Sequence, residues 1–400
     1  MKILVVNCGS SSVKYQLIDM STEKVMASGR YEKIGESDSF IIHKVNEKTY
    51  QIENFAQNHA DAIKFALQQL MYPEYRVINN LDEIDAIGHR IVHGGENIKE
   101  AVLVDDDIKQ YLKECADLAP LHNSAALKGI EALEKIMPGK PMSIVVDTAF
   151  HQTLAKETYL YPLSYNYYKK YGIRKYGFHG TSHKYVAKKL AEIEKKDIKD
   201  LKIITCHLGQ GSSICAIDRG KSVNTSMGFT PLGGIPMVTR CGDIDPSAIL
   251  YIMKKEKISP EDMENLLNKQ AGVLSITDGE GISPDFREIE KKALEENERA
   301  KIAMNRFSNE VAEHIAKYSV TLGGLDYIVF TGGIGENQYT IRKIICDKLK
   351  FFGIELDEEK NKVQGEVSEI STSNSKVKVF VVPTNEELMI AKETVKLIMN

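Results

Sequence analysis

The sequence has no apolar run of membrane-spanning length, no C-x-x-C pair and no excess of positive charge. Each absence closes a class of function. The first excludes a transmembrane helix. The N-terminal apolar stretch, Ile3 to Val6, is too short for a secretory h-region and is followed at once by polar residues. The six cysteines (Cys8, Cys115, Cys206, Cys215, Cys241 and Cys346) are dispersed, the pattern of reduced thiols, so a cytoplasmic location is expected. A formal net charge of -4 leaves no electrostatic footprint for nucleic acid or an anionic membrane. A small anionic ligand in a locally basic pocket stays open. Gly220-Lys221-Ser222 imitates the end of a P-loop, but Cys215 stands where its first glycine belongs, and no G-x-G-x-x-G follows a strand. His179 and His183 have metal-ligand spacing, yet Gly180 follows His179 and the H-E-x-x-H pattern is missing; His183 reads as a helix cap or packing residue. No low-complexity linker divides the 400 residues, which are enough for two or three domains with a boundary in a short connection near residue 150.

What is present is an alternation of strand and helix patterns, hence an α/β fold. Lys2 to Asn7 reads as a strand, Cys8 to Ser12 as a Gly/Ser turn, and Val13 to Asp19 as a second strand. The design recurs half a chain later. Lys202 to His207 leads through Leu208-Gly-Gln-Gly-Ser-Ser213 into Ile214 to Asp218, which suggests two related halves. Short strands are expected over residues 84–88, 142–147, 325–331 and 377–383. Helices are expected over 58–70, 123–136, 184–195 (capped by Thr181 or Ser182), 288–318 in one or two pieces, and 386–399.

Polar, glycine-rich turns follow apolar strands at Asn7 to Ser12, Gly209 to Ser213 and Gly332 to Glu336. Glycine lets backbone N–H groups approach an oxyanion, while Ser10, Ser12 and Lys14 add hydroxyl donors and a positive charge suited to phosphate. Any one of these is most simply an ordinary turn; three together favour a bound nucleotide. Phosphoryl transfer further needs cations around the transferred group and a positioned acceptor. Arg90 beside glycines, Asp147 at a strand end, His179 in a tight glycine turn and Arg240 in the loop from Thr230 to Pro246 are suitable residue types. Asp243 and Asp245 read as residues that hold that loop and Arg240, not as metal ligands.

The segments NCGSSSVKYQL, GHRIVHGGE, VVDTAFHQT, YGFHGTSH, HLGQGSS, NTSMGFTPLGGIPMVTRCGDIDP, FTGGIGEN and PTNEEL together resemble the acetate kinase (acetokinase) family, in its order and spacing, from residue 3 to about residue 391. The resemblance implies two duplicated actin-like ATPase (ribonuclease H-like) domains, with mixed sheets flanked by helices and an interdomain cleft. Residues 1–149 completed by a C-terminal helix, 385–400, would form one domain. Residues 150–384 would form the other, for nucleotide binding and dimerisation. It implies a homodimer, Mg²⁺ (with Mn²⁺ as a substitute), ATP/ADP as co-substrate, and reversible phosphorylation of acetate by direct in-line transfer. By the same resemblance Asn7 and Glu386 are the magnesium positions. Lys14, Ser10, Ser12, His207, Leu208, Gly209, Gln210, Gly211, Asp285, Phe286, Arg287, Gly332, Gly333, Ile334, Gly335 and Glu336 are its nucleotide contacts. Asp147 is the catalytic carboxylate, and Arg90 binds acetate. His179 and Arg240 stabilise the transition state, and Val92, Leu121, Phe178 and Pro231 form the methyl pocket.

A carboxylate is already nucleophilic at neutral pH, so Asp147 is expected to orient Mg²⁺ or substrate and not to act as a base. The chain departs from the family pattern at Gln210 (usually Asn), at Cys241 (often Ser) and in a longer loop over 275–285. Propionate or another short acid is the alternative substrate, because one methylene in an apolar pocket discriminates by only about 1–3 kcal/mol. A nucleotide-driven conformational protein would not need Arg90, His179 and Arg240. A sugar kinase would want polar side chains in place of the Val, Leu, Phe and Pro set.

Overall fold

The computed structural model of the chain describes residues 1–115, 120–277 and 282–399, with residues 120–122 described by their backbone alone. The chain divides into two compact units, Met1–Phe150 with Asn385–Asn400, and His151–Thr384.

In the first unit, β1 (Lys2–Cys8), β2 (Val13–Asp19), β3 (Lys24–Glu32), β4 (Phe40–Val45), β5 (Lys48–Glu53), β6 (Ala86–Ile91), β7 (Val102–Leu103) and β8 (Met142–Val146) form one sheet. Its order is β5-β4-β3-β2-β1-β6-β8-β7. β1, β6 and β8 run parallel and the other pairs are antiparallel. Helices α1 (His59–Leu70), α2 (Asp106–Glu114) and α3 (Pro120–Ile136) connect the parallel strands. β1, β6 and β8 are buried almost throughout, as the central parallel strands of a helix-covered sheet must be. At the edge, β5 is polar (Lys48, Thr49, Gln51, Glu53) and mostly exposed, a composition that discourages pairing with another chain. α1 begins where Asn58 accepts from the Asp61 N–H, and buries Ala62, Ile63, Ala66, Leu67 and Leu70 in a core centred on Leu4, Val6, Ile87 and Ile144.

In the second unit, β9 (Lys202–His207), β10 (Ser213–Asp218), β11 (Lys221–Thr225), β12 (Tyr327–Thr331), β13 (Ser368–Glu369) and β14 (Lys378–Val381) give the order β11-β10-β9-β12-β14-β13. Again β9, β12 and β14 run parallel. The same five-strand plan therefore recurs, an antiparallel meander followed by two parallel strands, as the repeated hairpin motif suggests. The hairpin tips match as well: Asn7 pairs with Lys14 and His207 with Ser213. The Gly9 N–H donates to Ser12 O at 2.8 Å, and the Gly209 N–H to Ser212 Oγ at 3.1 Å.

The helices of this unit are α4 (Lys156–Tyr159), α5 (Tyr165–Tyr171), α6 (Gly180–Glu194), α7 (Pro246–Glu256), α8 (Pro260–Lys269), α9 (Gly272–Ile276), α10 (Phe286–Leu294), α11 (Glu298–Leu322), α12 (Gly332–Asn337) and α13 (Tyr339–Lys348). Its core gathers Ile204, Cys206, Ile214, Phe307, Val311 and Phe330. One expectation is corrected: neither Thr181 nor Ser182 caps α6. His179 holds that position, and both residues lie buried inside the first turn. Ser182 is not available as a cap because its hydroxyl lies 2.8 Å from both His207 Nδ1 and Thr384 Oγ1.

The last helix, α14 (Glu386–Met399), belongs to the first unit. A Cβ on Gly88 of β6 would stand 2.6 Å from Ile390 Cγ2 and Thr394 Oγ1, so glycine is what lets α14 sit on the sheet. Thr394 and Ser143 of β8 share a 2.8 Å hydroxyl contact at the same place.

Candidate active site

In the first unit the C-terminal ends of the parallel strands carry Asn7 on β1, Arg90 on β6 and, just beyond β8, Asp147. Such ends are where open α/β sheets hold ligands. Asp147 is fixed by its own N–H, which donates to Ile91 O at 2.9 Å, and its side chain is 2% exposed. Arg90 donates to it twice, Nε to Oδ1 at 3.2 Å and Nη2 to Oδ2 at 2.6 Å, a bidentate fork. Arg90 Nε also lies 3.6 Å from Glu386 Oε2 at the start of α14. Among the described residues Nη1 of Arg90 has no partner. Burial raises the Glu386 carboxyl above its ordinary range, against the opposing pull of Arg90 and Lys14. Asn7 and Ser12 are half-buried; Ser10 and Lys14 are exposed on the hairpin tip. Val92 is half-buried, and the Leu121 side chain lies outside the described residues.

The second unit builds a double turn. The Leu208 N–H donates to Thr331 O at 2.8 Å, and the N–H groups of Ile334 and Gly335 donate back to Leu208 O at 2.8 and 3.1 Å. Gly332 has φ +76°, and a Cβ there would stand 2.7 Å from Leu208 O, so the close approach of the two turns requires glycine. Glu336 Oε1 accepts from the N–H groups of Gly332 at 2.8 Å and Thr384 at 3.0 Å, which makes it a clamp on the turn. Beneath the turn lies Arg342, fully buried, donating to Gly335 O and Asn361 Oδ1 at 2.9 Å each. Burial lowers its guanidinium to about 10.

Gly333 is exposed, whereas Leu208, Ile334 and Gly335 are buried. Gln210 Nε2 donates to Pro284 O at 2.7 Å and ties the first turn to the segment before α10. There Asp285 caps the helix by accepting the Arg287 N–H at 2.9 Å, and Arg287 Nε folds back to it at 3.0 Å. The Phe286 ring points into the core, 4.9 Å from Phe307. Residues 278–281 of the longer loop lie outside the described residues.

His179 occupies the left-handed region at φ 56°, ψ 21°, unusual for a residue with a side chain and a recurrent feature of functional positions. Its ring stacks on His207 at 4.2 Å. A Cβ on Gly211 would lie 3.4 Å from both His179 Nε2 and Arg240 Nη1, so these two groups flank the same glycine. Burial lowers the Arg240 guanidinium from its ordinary value. Asp243 and Asp245 do hold the loop, through the Gly234 N–H at 2.7 Å and the cap of α7, but neither bonds Arg240 among the described residues. Phe178 is buried, its carbonyl accepting from His151 Nε2 at 3.0 Å, and Pro231 is half-buried.

The structure thus brings Arg90, Asp147 and Glu386 together in one unit, and His179, His207, Arg240 and Gly211 in the other. Sequence reading missed Arg342, which looks like any helix arginine, and Thr205, which looks like an ordinary strand residue. It took Ser182 for a cap and Ser213 for the end of a glycine turn, not for partners of buried imidazoles.

Residues 2–392 match the profile of the acetokinase family. The chain belongs to the acetokinase family. An acetate kinase of Clostridium novyi is 54% identical to this acetokinase-family chain over 398 residues, covering all of the chain and 98% of the relative. The solved structure of Porphyromonas gingivalis acetate kinase matches with a TM-score of 0.96 at 43% identity, over 99% of both chains. A propionate kinase structure from Francisella tularensis matches at 0.91 with 41% identity, again over 99% of both. The fold of this acetokinase-family member is the duplicated actin-like ATPase architecture, and membership makes it a kinase.

Proposed function

We propose that the chain catalyses reversible, Mg²⁺-dependent transfer of the γ-phosphoryl group of ATP to acetate, giving acetyl phosphate and ADP by direct in-line transfer. The Arg90–Asp147 fork carries this reading. One face of a guanidinium is locked by a buried carboxylate while Nη1 is left for an incoming carboxylate. Asp147 is then the residue that orients Arg90. Acetate needs no general base, since its oxygen attacks phosphorus as the anion while ADP leaves with the β–γ bridging oxygen. His179 and Arg240, side by side at Gly211, are suited to neutralise charge on the equatorial oxygens of the transferred group. In the turns at Gly209–Gly211 and Gly332–Glu336 the N–H groups of Gly209, Gly332, Ile334 and Gly335 are taken up within the protein. Those of Gln210, Gly211 and Gly333 are the ones left, among the described residues, to meet the phosphates.

Asn7 and Glu386 are oxygen donors of the kind Mg²⁺ takes, few in number because the ion keeps waters and phosphate oxygens. A cation there would relieve the desolvation that raises the Glu386 carboxyl. When bound, it supplies positive charge to the phosphate oxygens. We also propose a cytoplasmic homodimer. Leu163, Tyr165, Tyr167, Tyr171, Leu250 and Tyr251 of the second unit are exposed apolar or aromatic side chains of the kind an interface covers.

Initial rates with ATP and an acid series from formate to butyrate, trapping acyl phosphate as the hydroxamate, test the reaction. Highest kcat/KM with acetate is expected. Formation of no acyl phosphate from any acid would refute the class. A preference for propionate is the second reading, to which the 41% identity to a propionate kinase lends less support than the 54% identity to an acetate kinase lends to the first.

A further inference from the structure

Behind the His179 ring lies a line of buried hydroxyls and imidazoles. Ser213 Oγ is 2.9 Å from His179 Nδ1 and 2.8 Å from His183 Nε2, and His183 Nδ1 is 2.7 Å from Thr205 Oγ1. Thr205, His183 and Ser213 are all 0% exposed. A hydroxyl has one hydrogen to donate, and each nitrogen of a neutral imidazole either donates or accepts. These rules give the line a direction. Among the described residues His183 is the partner of the Thr205 hydroxyl, so that hydrogen goes to His183 Nδ1. The reverse would bury a hydroxyl hydrogen with no acceptor. His183 therefore carries its proton on Nε2 and donates to Ser213 Oγ. The Ser213 hydrogen is then committed to His179 Nδ1, which leaves the His179 proton on Nε2. Burial holds His183 neutral, its pKa well below the ordinary histidine value, as this pattern requires.

The geometry points to Thr205, His183 and Ser213 as positioning residues that polarise this line and hold neutral His179 in the tautomer presenting Nε2–H beside Arg240. This rests on the proposed role of His179 and sharpens it: His179 serves as a neutral hydrogen-bond donor to the transferred group. Protonating His179 would set a second N–H against the Ser213 hydroxyl. The whole line would then reverse and strand the Thr205 hydrogen. Among the described residues, the titratable and charged groups facing His179 include His207, stacked at 4.2 Å, Arg240 at the same glycine, and His183 through Ser213.

The test uses the full chain labelled with ¹⁵N-histidine, with long-range ¹H–¹⁵N spectra to read each tautomer and steady-state kinetics on the same samples. Wild type is expected to show His179 as the Nε2–H form. Thr205→Val is nearly isosteric, lies three hydrogen bonds from the His179 ring and removes the hydroxyl. It should mix the His179 tautomers and lower kcat by roughly 10- to 100-fold, the scale at which an outer partner orients an imidazole, with KM for ATP and acetate unchanged. Ser213→Ala should do the same, and Thr205→Ser should restore both readouts. An unchanged Nε2–H signature and wild-type kcat in Thr205→Val and Ser213→Ala would overturn the inference. His179→Gln separates the two claims. Full turnover in that variant would refute the role of His179 in the reaction, and the tautomer spectra would still decide whether the line sets its proton.

Discussion

At the scale of single residues, the proposed reaction places most of the first unit's chemistry on the Arg90–Asp147 fork. Its carboxylate is almost wholly buried and its guanidinium less than a quarter exposed, so the pair is only weakly screened by solvent. Arg90→Ala and Arg240→Ala should each lower kcat on the order of 10²–10³-fold, the usual consequence of removing one preorganised donor to developing charge. Melting temperature should stay near wild type for Arg240→Ala, because its described side-chain contact is a 3.8 Å approach to Met237 Sδ. Near-normal turnover in Arg240→Ala would contradict its assignment. Gln210 gives a finer prediction. Its longer side chain is what reaches Pro284 O, so Gln210→Asn should break that bond and raise KM for ATP a few-fold without moving KM for acetate. Unchanged KM values for both would show that the bond does not position the nucleotide contacts.

At the scale of elements, the seating of α14 on β6 decides where Glu386 stands. Gly88→Ala inserts a methyl group 2.6 Å from Ile390 Cγ2 and Thr394 Oγ1, atoms one bond from their own Cβ, so rotamers or the helix must shift to make room. The expected outcome is a loss of stability of about 1–3 kcal/mol and a raised Mg²⁺ requirement, read from urea unfolding and from rate against metal concentration. A normal Mg²⁺ curve in a folded Gly88→Ala protein would disconnect the helix from the metal position.

Elements also explain what could be read in advance. β1, β9 and β14 were legible because apolar, β-branched runs end in glycine or proline signals, and β2 because its residues alternate. β3, β4 and β5 were not: β4 and β5 alternate in burial but are only six residues long and end in no glycine or proline signal, and Ala27, Ser28 and Gly29 blur the period of β3. The start of α6 was misplaced because Thr181 and Ser182 have cap-forming side chains, and only the fold shows that His207 and Thr384 already hold the Ser182 hydroxyl. The site residues came from long motifs. Their partners, Arg342, Thr205 and Ser213, are chosen by tertiary packing and leave no local mark.

At the scale of the molecule, buried histidines set the acid limit of stability. In the first unit burial lowers His43 to about 4 and His89 to about 3. Both stay neutral in the folded unit while the unfolded chain takes up protons as pH drops below about 6.5. The unfolded state then binds more protons, so stability falls as pH falls, with a slope approaching two protons, roughly 2.7 kcal/mol per pH unit. The loss continues down to the folded values, where protonation of the native form begins. Urea unfolding of the first unit, followed by hydrogen exchange of its core amides at pH 7, 6 and 5, should show the decline, and His89→Gln should halve its slope. A flat profile over that range would show that these imidazoles are not buried neutral.

The return of α14 to the first unit has a consequence for synthesis of the chain. A ribosome has released everything through Thr384, the whole second unit included, before the helix that covers Gly88 exists. The first unit therefore waits, with one face of its sheet open, through most of translation. The second unit is contiguous in sequence, and its sheet is complete once β14 has been made, before α14. A chain halted at Thr384 should hold native-like hydrogen-exchange protection in residues 151–384 and weak protection in residues 1–150. The Glu386 carboxylate, which the proposed reaction needs, would then be added only after the whole second unit has been made.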